Sequence, residues 1–212
     1  MNRPRLFLVT PPAFDTATLA DQLKQAFTGG DIACVMIYMP DASTKDIQAA
    51  ADILVPIIQD GGAAALVYGD TQAAGRSGAD GVHVDKSLED LKLAVESFQP
   101  DRVVGTGGTK TKHDAMEWAE TGVDYLFFGK LDLAEKETAH DKTLSGANWW
   151  AELFETPCVA LAGNTLETLA EVAATGADFV ALKDAVWHSE DIAKTISDAN
   201  TVLEAHPFPE VD

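Results

Sequence analysis

Three segments, SGADGVHV (77–84), TGVDYLFF (121–128) and TGADFVAL (175–182), carry one pattern. Each follows an amphipathic, helix-like stretch. Each glycine can take the left-handed conformation that closes a helix. A small apolar residue, an aspartate and an apolar strand follow. Five more apolar runs, RLFLVT, ACVMIY, AAALVY, RVVGT and PCVALAG, fill the intervals and bring the strands to eight. The runs are mostly continuous rather than alternating, as parallel strands covered on both faces are.

Helix starts fall between the strands. Asp15 or Thr16 caps a helix ending near Phe27, and Ser43 or Thr44 caps KDIQAAADILVPIIQ, in which Pro56 should kink the helix or mark its last turn. Ser87 and Asp90 have capping-box spacing before LKLAVESF. Thr165 opens LETLAEVAAT, and a last helix is expected over about 189–205. Strand and helix alternate about eight times, which predicts an α/β fold, a single (β/α)8 TIM barrel over residues 1–206. The proline-bearing end, 207–212, reads as a loose tail.

The 212 residues are 46% hydrophobic, enough for one sizeable core. The 34 acidic and 15 basic residues give a formal charge of −19. Such a surface repels phosphate backbones and anionic lipid, so the expected partner is a small molecule, not nucleic acid or membrane. Cys34 and Cys158 sit inside apolar strands and read as small buried hydrophobes, without disulfide or metal spacing. The N-terminal apolar run is too short for a signal peptide and nothing approaches a membrane span, so a cytoplasmic protein is expected. A homo-oligomer stays open.

In such a barrel, sites form where the strands end at their C-terminal side. Those ends carry Tyr38, Asp70, His83, Asp85, Thr106, Lys130, Gly163 and the pair Lys183–Asp184. GTGGTK (105–110) lacks the full phosphate-loop spacing and reads as a βα turn. His83 reads as a core histidine satisfied by its neighbours, and Trp149 and Trp150 as packing on the barrel wall. The polar loop DLAEKETAHDK is either a lid or a solvated surface loop.

The ordered blocks LFLVTPP, CVMIYMPD, ALVYGD, GADGVHV, VVGTGGT, GVDYLFFGK and PCVALAGNTLETLAEVAATGADFVAL resemble thiamine phosphate synthase and the related thiazole tautomerase, from about residue 5 to 199. The resemblance implies thiamine biosynthesis: a pyrimidine pyrophosphate joined to a thiazole phosphate, with Mg²⁺ and release of pyrophosphate. It also implies anchors that this chain replaces. The Gln-x-Arg-x-Lys after strand 2 becomes Met36 through Pro40, with Tyr38 and Pro40 at the basic positions. After strand 3 only Asp70 survives as a metal carboxylate. After strand 4 His83 remains, but the second metal carboxylate becomes Leu88, with Asp85 nearby. A serine after strand 5 becomes Gly107, beside Thr106. The Thr-x-Thr-Lys phosphate loop has no clean counterpart, although Lys136 and Lys142 supply charge. The Gly-Gly pair after strand 7 becomes Ala162–Gly163, and the Val-Ser after strand 8 becomes Lys183–Asp184.

Each lost charge-assisted hydrogen bond is worth about 1.5–3 kcal/mol. Loss of the two basic groups alone therefore removes about 3–6 kcal/mol of pyrophosphate affinity. A carboxylate at Asp184 about 4 Å from a phosphate charge would add repulsion of about 4 kcal/mol at an effective dielectric near 20. The expectation is a synthase-like barrel whose synthase activity is lost or altered. Two alternatives follow from the same residues. Lys130 stands where the tautomerase has a histidine, so it is a candidate catalytic lysine for a tautomerase or a Schiff-base lyase, with Lys183 as a neighbouring cation. The other alternative is a barrel that binds a small ligand or a protein without chemistry.

Overall fold

The computed structural model describes residues 3–134 and 136–208. Eight parallel strands close into one barrel in chain order: β1 (Arg5–Val9), β2 (Cys34–Ile37), β3 (Ala64–Tyr68), β4 (Gly81–His83), β5 (Val103–Gly107), β6 (Tyr125–Phe128), β7 (Cys158–Leu161) and β8 (Phe179–Leu182). The chain is closed by β8 pairing with β1, Phe7 opposite Ala181. Helices α1 (Thr16–Gly29), α2 (Thr44–Asp60), α3 (Thr71–Ser77), α4 (Leu88–Phe98), α5 (Lys112–Ala119), α6 (Asp141–Leu153), α7 (Leu169–Ala173), α8 (Asp184–Trp187) and α9 (Ile192–Glu204) surround it. The fold is the (β/α)8 barrel that the repeated pattern predicts.

The near-continuous apolar strands serve two cores. Leu6 and Leu8 join Val35, Ile37, Val67 and Leu126 in the layer between strands and helices. The residues between them, Phe7 and Val9 with Met36, Leu66, Tyr125 and Phe127, fill the barrel itself. Alternation of side chains across a strand produces this split even when both faces are apolar. Both cysteines are buried and free, one in each core.

The three glycines of the repeat, Gly78, Gly122 and Gly176, have positive φ and end α3, α5 and α7 or their following turns. Their aspartates have one shared task. Asp80 accepts the amide of Ala65 on β3 at 2.7 Å, Asp124 that of Val104 on β5 at 2.7 Å, and Asp178 that of Cys158 on β7 at 2.8 Å. Each carboxylate thus ties an even-numbered strand to the preceding odd one.

The expected caps Asp15, Ser43 and Ser87 are in place, and α2 runs on past Pro56 to Asp60. Two elements differ from the sequence reading. The segment after Thr165 is a 3-10 turn (Leu166–Thr168) followed by the short α7, because the Thr165 hydroxyl donates to Glu137 O instead of capping a helix. The last helix, α9, falls within the expected 189–205 and is capped by Asp191. The short α8 before it is an additional element, pinned to β1 by the Trp187 indole, which donates to Val9 O at 2.6 Å. Of the expected tail, Pro207 and Phe208 follow α9, and 209–212 lie outside the described residues. Among the described residues, no helix is long and apolar enough to cross a membrane.

Candidate functional site

The C-terminal strand ends open into a cavity of about 1050 Å³. The barrel core beneath it is aromatic. Phe7 meets Tyr125 and Phe127 edge to face at 5.7 and 5.9 Å between ring centres. This crowding explains Gly107: a Cβ there would lie 2.9 Å from Phe127 O and 3.4 Å from His83 Cε1.

The wall on the β2–β4 side is phenolic and acidic. Tyr38 and Tyr68 touch edge to face at 4.7 Å, and Tyr68 stacks on His83 at 5.8 Å. Strand register puts Tyr68 opposite His83. The Tyr68 hydroxyl donates to Asp85 Oδ1 at 2.9 Å. Burial, followed by the charges of Asp132, Asp85 and Asp41, pushes the Tyr38 phenol up to about 12. Burial and then Asp85 raise Tyr68 further. Both phenols are therefore protonated donors at neutral pH.

His83 is fully buried behind this wall. Its Nδ1 lies 2.9 Å from the Tyr125 hydroxyl. Its Nε2 is buried without a hydrogen-bond partner and stands 4.0 Å from Asp85 Oδ2. Desolvation lowers its pKa to about 4, against a smaller raising effect from Asp85, so the imidazole is neutral. The reading of His83 as a satisfied core histidine therefore holds for one ring nitrogen only.

The opposite side is basic. Lys110 and Lys112, from the end of β5 and the start of α5, line the cavity with Lys130 and Lys136 from the β6 loop and Lys142 from α6. Lys112 Nζ also sits 4.4 Å above the Trp149 ring, which lines the cavity too. Trp150 is instead fully buried and donates to Thr156 O at 2.8 Å. The β6 loop folds onto the β7 loop: Asn164 N donates to Lys136 O at 2.8 Å, and a Cβ at Gly163 would meet that same carbonyl at 2.7 Å.

Of the residues singled out in the sequence, Tyr38, His83, Asp85, Lys130 and Gly163 line the cavity together, with Lys136, Lys142 and Trp149. Asp70, Thr106, Lys183 and Asp184 are not among its lining residues. Asp70 accepts the Ala73 amide at 2.7 Å as the cap of α3. Thr106 is buried and donates to Val84 O at 2.6 Å. Lys183 is buried at the end of β8 and Asp184 begins α8; neither is without a partner. Lys130 lines the mouth from an exposed position after β6. Asp70 Oδ1 accepts its helix cap and Asp85 Oδ1 the Tyr68 hydroxyl, and no three His, Cys, Asp or Glu gather for a metal among the described residues. The Tyr68–Asp85 bond escaped the sequence reading. Its only signal was position, a tyrosine ending β3 and an acid just beyond β4 at neighbouring strand ends.

A family model described as thiamine monophosphate synthase matches residues 6–186. The thiamine-phosphate synthase of Rhodospirillum centenum is 36% identical over 207 residues, 96% of this chain and 99% of that protein. That of Hyphomonas neptunium is 30% identical over 195 residues, 89% of this chain and 88% of that one. Among solved structures, thiamine phosphate pyrophosphorylase from Pyrococcus furiosus superposes with a TM-score of 0.78 at 23% identity, covering 96% of this chain and 97% of that one. At that identity the likeness shows the fold.

Proposed function

This chain belongs to the thiamine monophosphate synthase family, and we propose that it is a diverged member: its cavity binds a thiamine-related small molecule but does not support the family's joining reaction at an ordinary rate. The separation of charge around the mouth carries the reading. On the β2–β4 side, where the resemblance puts the pyrophosphate and metal anchors, stand Tyr38, Tyr68 and Asp85. A pyrophosphate there would meet phenol donors and a carboxylate, with no guanidinium or ammonium to neutralise it. The five lysines lie on the β5–β6 side. One phosphate finds compensation there despite the chain's charge of −19. An organic ring with a single phosphate therefore fits the cavity better than a metal-bound pyrophosphate.

The missing basic groups alone account for about 3–6 kcal/mol, which is about two to four orders of magnitude in affinity. The test is synthesis of thiamine phosphate from both phosphorylated substrates with Mg²⁺, run beside the Rhodospirillum centenum relative. The expected rate is lower by at least about a hundredfold, while thiazole phosphate or thiamine phosphate still raises the melting temperature. Turnover matching the relative would overturn the loss of synthesis. Absence of any shift with either phosphate would overturn the thiamine-related ligand.

A further inference from the structure

The cavity does not stop at the strand ends. It runs outward between α5 and α6, where it is lined by Lys112 and Ala115 from one helix, Ser145, Gly146 and Trp149 from the other, and Phe128 beneath them. Gly146 lets α6 lie against the Phe128 ring, since a Cβ there would come within 2.8 Å of it. The whole cavity, about 1050 Å³, is larger than one small ligand fills; pockets for such ligands span roughly 300–1,000 Å³. A single ring with one phosphate at the strand ends leaves the outer recess open.

Trp149 is the platform of this recess. Its ring meets Trp150 and Phe154 edge to face at 5.7 and 5.2 Å, which fixes its plane. The Lys112 ammonium lies over the ring at 4.4 Å. Among the described residues, neither Lys112 nor Lys110 or Lys142 beside it has a carboxylate within ion-pairing distance. Acidic residues outnumber basic ones 34 to 15, so these unpaired lysines do not reflect a shortage of partners. Asp85 and Asp132 act on Tyr38 and Tyr68 at the other side of the cavity. Among the described lining residues that leaves Asp141 as the one carboxylate against three ammonium groups. The recess therefore offers an aromatic face beside uncompensated positive charge.

We propose that the recess between α5 and α6 is a second binding site, separate from the strand ends, for an aromatic carboxylate, whose ring stacks on Trp149 and whose acid group pairs with Lys112. The ammonium now stands over Trp149 at close to the separation of stacked aromatic rings. A ring that takes its place carries an in-plane acid group at the height of the displaced ammonium. A carboxylate conjugated with its ring lies in that plane, whereas a tetrahedral phosphate projects from it. The exchange replaces a cation–π contact, weak at an exposed site, with a stacked ring pair and a charge-assisted hydrogen bond. The site does not depend on the reading of the strand ends as a thiamine-related pocket.

The experiment follows the indole N–H signals of the wild-type protein by NMR during titration with benzoate, benzamide and acetate at pH 7.5. Trp149→Phe assigns the Trp149 signal by its loss; if that variant does not fold, nuclear Overhauser contacts between the benzoate ring and the Lys112 side chain locate the ligand instead. Benzoate should shift the Trp149 signal saturably. Benzamide, which lacks the charge, and acetate, which lacks the ring, should bind at least about tenfold more weakly. A Trp149 signal that benzoate leaves unmoved, or equal binding of either control, would overturn the proposal. Lys112→Glu should weaken benzoate at least about tenfold, and unchanged affinity would also overturn it. With thiazole phosphate at saturation the Trp149 signal should still respond to benzoate; full competition would overturn the separate site. Thiazole phosphate that fails to bind sinks the thiamine-related ligand alone, because the benzoate titration is read without it.

Discussion

At the N-terminal ends of the strands, Asp80, Asp124 and Asp178 make one hydrogen bond three times, each to the backbone amide of the strand before. Gln59 and Gln99 even repeat a second contact, donating to Asp80 and to Asp124 at 3.1 and 3.0 Å. At the C-terminal ends nothing repeats. His83 ends β4 beside a tyrosine and an aspartate, Lys130 follows β6 on an exposed loop, and Lys183 is buried after β8. The floor is built from side chain to backbone, so any barrel with an aspartate at those places can use it. The mouth is built from side chain to side chain, and its partners must be chosen together. The floor therefore carries the fold, and the mouth is where the sequence can vary without breaking it.

The largest effect expected at the mouth concerns pH. The folded-state pKa of His83 is depressed to about 4 by burial, against about 6.5 in an unfolded chain. Between those values the unfolded chain binds the extra proton, so stability rises with pH across the window and is complete above it. The loss on acidification from pH 7 toward 4 amounts to about 3 kcal/mol from this group. Urea unfolding at pH 7 and pH 4.5 should show a smaller loss in His83→Gln than in the parent. An identical loss would mean that His83 is not held neutral by its site.

The same contrast governs what the sequence makes legible. The Gly-x-Asp repeat encodes a backbone event, a left-handed turn before a strand, and backbone events have fixed sequence spacing. The eight strands and the caps at Asp15, Ser43 and Ser87 are readable for that reason. The Tyr68–Asp85–His83 cluster is held by side chains from β3 and from beyond β4, 17 residues apart in its longest bond. No periodicity marks such a pair; only the barrel closure and its register bring it together. Asp70 fails in the opposite way. Its spacing fits both a helix cap and an inherited metal ligand, and the local bond to the Ala73 amide takes the carboxylate.

A floor substitution should be next in size. Asp178→Ala leaves the amide of Cys158, on a fully buried strand, without its acceptor. An unsatisfied buried donor that had a charged partner costs about 2 kcal/mol. Denaturant midpoints measure the loss, and binding of thiazole phosphate should be unaffected, since Asp178 is at the far end of β8 from the mouth. A change in binding larger than the change in stability would show that floor and mouth are not separable.

The smallest effect tests the comparison most directly. Tyr68→Phe also removes one hydrogen bond to a carboxylate, at nearly the same length, 2.9 Å against 2.8 Å at Asp178. Geometry alone would predict equal losses. The environments differ: Asp85 lines an open cavity and regains water when the phenol goes, whereas Cys158 is a fully buried residue of β7. The expected loss for Tyr68→Phe is therefore under about 1 kcal/mol. Equal losses for Tyr68→Phe and Asp178→Ala would make the mouth cluster a structural element like the floor.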